Sequence, residues 1–128
     1  MTLRVVEHST TVESAPISLV LTAHGNGSIF AVVVDVGVGT FGTIVRARRE
    51  ASLHGRETVD VATLLGDRGH RMPELWARMV LETCHKDARD IVFCFGVKKD
   101  FGKDAAVGKA LCEVLVSKLD ELLTGNVE

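Results

Sequence analysis

Ser28-Ile29-Phe30-Ala31-Val32-Val33-Val34-Asp35-Val36-Gly37-Val38-Gly39-Thr40-Phe41-Gly42-Thr43-Ile44-Val45-Arg46-Ala47-Arg48 is the stretch on which the fold turns. An apolar, largely β-branched run leads into glycines at 37, 39 and 42, the G-x-G-x-x-G spacing of a dinucleotide-binding turn. In such a site a helix starts at the third glycine, and its N-terminal N–H groups hold the pyrophosphate. Here Gly42 is followed by Thr43, Ile44 and Val45. Their branched Cβ atoms lose rotamer freedom in a helix and suit a strand. Arg46, Arg48 and Arg49 then add charge without a helical apolar stripe. The stretch therefore reads as a hairpin, with the glycines supplying positive φ angles in the turn. Glu57 stands about where a ribose-binding carboxylate would, but it is one of 17 acidic residues. A nucleotide site at Gly37 to Gly42 is kept as the alternative reading.

The 128 residues suit a single domain spanning 1–128. A chain of this size buries roughly two thirds of its unfolded surface, enough for a real core. Hydrophobic residues make up 46% of it, and the mean hydropathy is +0.21. A net charge of -2 implies no general attraction to nucleic acid or to an anionic membrane. Met1 to Glu7 already carries Arg4 and Glu7, which is not the composition of a secretory leader. No apolar run approaches the ~20 residues that span a bilayer. Cys84, Cys94 and Cys112 show no C-x-x-C spacing and sit inside apolar segments. They read as reduced core thiols of an intracellular, cytoplasmic or nuclear, protein.

Working outward, Leu3 to Glu7 is a short edge-type strand, and Pro16 opens a second run, Ile17 to Ala23. His24-Gly25-Asn26-Gly27 turns into Ile29 to Val36, and Thr43 to Arg48 returns after the glycines. Those three strands are expected as a hairpin-linked antiparallel meander. Thr58 to Leu64 alternates as another strand. Pro73 suits a first helical turn, and Leu75, Trp76, Met79, Val80 and Cys84 recur at helical spacing. Ile91 to Val97 is a buried-type strand. A second helix follows, capped by Asp104, lined by Val107, Leu111, Val114, Leu115, Leu119 and Leu122, and ended by Gly125. The sum is α+β: about six mostly antiparallel strands and two helices on one sheet face.

Two helices cannot cover both faces of such a sheet, yet several strands are apolar on both. Ile29, Ala31 and Val33 point one way; Phe30, Val32 and Val34 point the other. Leaving three or four such side chains in water forgoes roughly 1.5–3 kcal/mol each. The second face is therefore expected to be buried in a dimer through one of these two triads. The alternative cover is the N-terminal run or the polar loop from Glu50 to Glu57.

No constellation for catalysis, cofactor or metal emerges. Gly96 and Gly102-Lys103 lie between a strand and a helix, but five residues separate the glycines where a phosphate loop needs four. Asp104 also stands where Ser or Thr would bind magnesium. His8, His24, His54, His70 and His85 are scattered. Arg46 and Arg48 would share one strand face and could meet an acidic partner; an ordinary solvated strand face is the plainer reading.

With those residues in place, the chain resembles the proteasome assembly chaperone 3/4 family over roughly residues 17–122. Phe41-Gly42-Thr43-Ile44-Val45 is similar to the second hairpin of the chaperone 3 branch. Val61-Ala62-Thr63-Leu64-Leu65-Gly66-Asp67 resembles the strand, Leu-Leu-Gly and loop segment shared by both branches. The resemblance implies a non-enzymatic protein without cofactors. It implies pairing through sheet faces, as a homodimer or with a related small chaperone, and binding of 20S proteasome α-subunits during α-ring assembly. Asp67, Arg68, His70 and Arg71, after Leu-Leu-Gly, are the candidate partner contacts, and the Arg46 and Arg48 patch is a second. Two other readings differ in kind: the nucleotide protein above, and a dimerisation module of the small-GTPase-regulator type.

Overall fold

The computed structural model describes residues 3–12, 14–24, 28–37, 42–51, 55, 57–66, 71–84, 88–97, 101 and 105–124. Among them are six strands and two helices. In chain order these are β1 (Arg4–Val12), β2 (Ala15–Ala23), β3 (Ile29–Asp35), β4 (Thr43–Ala51), β5 (Glu57–Leu65), α1 (Met72–Thr83), β6 (Asp90–Gly96) and α2 (Ala105–Thr124). The strands form one sheet in the order β1-β2-β3-β6-β4-β5. Every neighbouring pair is antiparallel except β3 and β6, which run parallel. The expected α+β architecture, with a mostly antiparallel six-stranded sheet, is the one observed.

The meander lies one strand earlier than expected. β1 is not a short edge but runs nine residues, and Val12 pairs with Ala15. Ser14 adopts φ 68°, the left-handed angle a tight hairpin connection needs. The meander is thus β1-β2-β3. The glycine turn does not close a hairpin between neighbours: β6 is inserted between β3 and β4. Gly42 N–H donates to Phe95 O at 3.0 Å, so β4 starts against β6 rather than β3. The strand character of Thr43 to Arg48 was legible locally, but its neighbour is set by a parallel crossover that no local pattern encodes.

Both helices lie on one face. α1 packs on β4, β5 and β6, and α2 on β1 and β2. Beneath them Ile17, Leu19, Leu21, Ile29, Ala31, Val33, Val45, Ala47, Ile91, Phe93 and Phe95 are buried. The buried side of α1 is Pro73, Trp76, Ala77, Val80 and Leu81, continued by Cys84. Leu75 and Met79, expected in the stripe, are exposed. Trp76 sets this phase. Its ring meets Phe95 and Phe101 edge-on at 5.5 and 5.9 Å, a geometry that suits aromatic quadrupoles. In α2, Leu111, Leu115, Leu119 and Leu122 are buried as expected, with Gly108 and Cys112, while Val107 and Val114 are half-buried.

An arginine from a strand closes the C-terminal end of each helix. Arg49 of β4 donates from Nη2 to Leu81 O and, at 3.1 Å, to Cys84 O at the end of α1. Arg4 of β1 donates from Nη1 to Leu122 O and Leu123 O at 3.1 and 3.2 Å at the end of α2. The last carbonyls of a helix lack intrahelical donors and carry partial negative charge, so a guanidinium satisfies both needs. Arg49 therefore parts from Arg46 and Arg48, its neighbours in the charged run of the sequence.

Candidate interaction surface

No helix among the described residues covers the other sheet face, termed the open face. Register places its side chains in rows. Thr22, Phe30, Val92, Arg46 and Ala62 are successive Cα partners in one row; Val20, Val32, Cys94 and Ile44 form the next; Ser18, Val34 and Gly96 a third. Alternation along each strand turns them away from the buried set. The centre of this face is apolar: Val20, Val32, Val34, Ile44 and Val92 are half-buried, and Phe30 is 42% exposed. His24 meets the Phe30 ring edge-on at 5.5 Å.

Charge borders the apolar centre. Arg46 grips Asp90 with two prongs, Nε to Oδ1 at 3.0 Å and Nη2 to Oδ2 at 2.6 Å. That hydrogen bonding holds the Asp90 carboxyl below its ordinary range against the opposing effect of desolvation, and Arg48 adds a smaller push the same way. Arg48 lies opposite Asp90 on one neighbour and Asp60 on the other. On the far side Glu7 and Ser9 are exposed on β1. An apolar centre with a polar, partly paired rim is the composition of a protein interface.

Cys84 and Cys112 are buried thiols. Burial pushes Cys84 upward, and it pushes Cys112, with help from Glu113, to about 11. Both stay protonated at neutral pH, and a thiol reacts as its thiolate. Cys94 differs from the expected core role: it lies half-buried on the open face, its titration raised by desolvation. Among the described residues no group of three metal-ligating side chains converges.

Of the two triads expected to form a pairing face, Ile29, Ala31 and Val33 are core, at 2%, 0% and 0% exposure. Phe30, Val32 and Val34 are on the open face. Arg46 and Arg48 stand at its charged border. Arg71 is exposed at the start of α1, on the other side of the sheet, and so is not brought together with them. Asp67, Arg68 and His70 lie outside the described residues, as do Gly39, Gly102, Lys103 and Asp104. Val20, Ile44 and Val92 complete the patch; of these, the alternation of Val92 and Cys94 with Ile91, Phe93 and Phe95 already marks Val92 in the sequence. Each alternates with a buried neighbour, but only the register joins them across four strands.

Gly42 leads into β4 and not into a helix, so the structural context of a dinucleotide turn is missing. A family model described as proteasome assembly chaperone 3 matches residues 33–117, from within β3 to within α2. The chain belongs to the proteasome assembly chaperone 3 family. No curated protein matches the sequence. Among solved structures, the chain is similar to one described as a novel chaperone complex for yeast 20S proteasome assembly. The TM-score is 0.56 at 12% identity, over 97% of this chain and 98% of that one. At that identity the likeness shows the shared fold, and it extends to β1 and β2, which the family match does not reach. In this member of the family, the Gly-Thr-Ile-Val stretch and the Leu-Leu-Gly segment meet in space. A Cβ on Gly66 would stand 2.8 Å from Thr43 Cα.

Proposed function

We propose that this chain is a non-enzymatic, dimeric chaperone that binds α-subunits of the 20S proteasome and promotes assembly of the α-ring, acting in the cytoplasm. The observation that carries the pairing is the open sheet face, with Phe30, Val32 and Val34 at its centre and helices covering only the opposite side. Burying three or four such side chains contributes roughly 1.5–3 kcal/mol each. A second chain, identical or a related small chaperone, supplies an equivalent apolar face. The charged border, with Arg46 and Asp90 already paired and Arg48 exposed, sets orientation more than affinity. Family membership supports the proteasome role and the absence of catalysis. Arg71 at the start of α1, off the pairing face, is a candidate α-subunit contact.

The deciding experiment is co-purification. The tagged chain is drawn from extract of its own cells, and the accompanying chains are identified by mass spectrometry. Proteasome α-subunits without mature β-subunits, together with a second small chaperone or untagged copies of this chain, are the expected result. A stable partner unrelated to the proteasome would overturn the reading. A thermal-shift screen with NAD, NADP, ATP and GTP at millimolar concentration is expected to show no stabilisation.

A further inference from the structure

β5 closes the sheet beside β4 alone, so one edge of it has no strand neighbour among the described residues. Arg78 of α1 donates from Nη1 to Val59 O at 2.8 Å, so the main chain of Val59 is turned off that edge toward the helix. The two-residue period of a strand turns the N–H and C=O of Val61 and Thr63 the same way. Leu64 is skipped in the register with β4, which ends the regular edge at Thr63. Natural proteins blunt a long exposed edge. Here Arg78 covers Val59 and leaves the two following outward positions.

Beside these positions lies a cleft of about 370 Å³, lined by Val61, Arg71, Met72, Glu74, Leu75 and Arg78. Its apolar wall includes Leu75, which is 48% exposed despite its size. Its charge is lopsided. Glu74 accepts a hydrogen bond from Thr63 Oγ1 and is thereby held to the sheet. Neither Arg71 nor Arg78 forms an ion pair with a described carboxylate. An unpaired strand edge, an apolar socket and two guanidinium groups thus converge on one place.

We propose that this edge is a strand-addition site for an extended peptide segment bearing one large apolar side chain flanked by carboxylates. The segment's main chain pairs with Val61 and Thr63. Its apolar side chain enters the socket between Val61, Met72 and Leu75 and sets the register, and its carboxylates meet Arg71 and Arg78. The site is on the sheet edge and off the open face, so the inference is independent of whether that face joins two chains.

The test uses the intact protein and a fluorescein-labelled nine-residue peptide. The peptide alternates threonine and valine, with aspartates two residues to either side of a central leucine, which places all three on one strand face. Binding is read by anisotropy, and amide hydrogen exchange is read by NMR. The expected result is saturable binding that slows exchange at Val61 and Thr63. The double variant Arg71→Glu with Arg78→Glu is expected to weaken binding about tenfold or more. Two control peptides leave the protein untouched. One is N-methylated at alternate amides, and the other has lysine in place of aspartate; each is expected to lose binding. Equal binding by the N-methylated peptide would overturn strand addition, and equal binding by the lysine peptide would overturn the carboxylate preference. No binding at millimolar peptide would overturn the site. Protection of Val61 and Thr63 that rises with protein concentration alone would instead make the occupant a second copy of this chain and overturn the peptide reading.

Discussion

Gly108 of α2 faces the indole of Trp76 so closely that a Cβ at position 108 would lie 2.8 Å from Nε1. Trp76 is 1% exposed, and its Nε1 has no hydrogen-bond partner among the described residues. Glycine inside a helix ordinarily costs about 1 kcal/mol relative to alanine. Here close packing reverses the sign. Gly108→Ala is expected to lower stability by about 1–3 kcal/mol, the usual cost of overpacking. Urea denaturation measures it, and a variant as stable as the parent would mean that the indole can yield.

Gly66 offers a second glycine prediction with a different cause. Its φ is +117°, and a Cβ would meet Gly42 O and Thr43 Cα, both backbone atoms. A non-glycine residue is strained there by about 1–3 kcal/mol before any clash is counted. Gly66→Ala is expected to lower the thermal midpoint and to speed amide exchange at Thr43. An unchanged midpoint would show that the end of β5 can shift without loss.

The ion pair between Arg46 and Asp90 gives a pH signature. The Asp90 carboxyl is held below its ordinary value in the folded protein. The pair's contribution is therefore fully present above the unfolded value near 3.9 and is lost as pH falls through the lower folded value. The Asp90 side chain is 33% exposed, so the contribution is modest. Asp90→Asn is expected to lower stability by the same amount at pH 7 and pH 6. The gap should close below about pH 4. A gap that persisted at pH 2 would assign the effect to packing.

Adjacent valines on β3 separate the two sheet faces. Val33 is 0% exposed beneath the helices, whereas Val32 is half-buried on the open face. Val33→Asp places an unpaired carboxylate in the core and is expected to unfold the protein. Val32→Asp is expected to keep the circular dichroism of the parent while shifting sedimentation to the monomer. Alkylation of Cys94, its neighbour in the register, is expected to be faster in that monomer. Two folded, dimeric variants would place the pairing surface elsewhere.

Much of the fold was legible because strand and helix identity rest on local chemistry. Thr43-Ile44-Val45 after Gly42 argued for a strand and against a nucleotide turn, and β4 begins there. Pro73 and the leucines of α2 marked the helices for the same local reason. The rotation of α1 was not legible, because Leu75, Trp76, Ala77, Met79, Val80 and Leu81 are apolar nearly all round and offer several stripes. The fit of Trp76 against Phe95, Phe101 and Gly108 chose among them.

By itself, then, the sequence determined the strands and helices, the α+β class, the apolar character of both faces of several strands, and the motifs of the family. Strand order, the face under the helices and the roles of the arginines were decided only by the tertiary structure. The insertion of β6 between β3 and β4 joins residues 62 positions apart on one side, as in Ile29 with Ile91, and about 40 to 50 apart on the other, and no periodicity names a partner at that distance. Two equally apolar triads on β3 became core and surface when α1 and α2 settled on one side. Arg46 and Arg49, three residues apart, point to opposite faces. One pairs with Asp90 at the open face, and the other closes a helix. The strand's alternation fixed only that they would part; which face each met depended on where the helices packed.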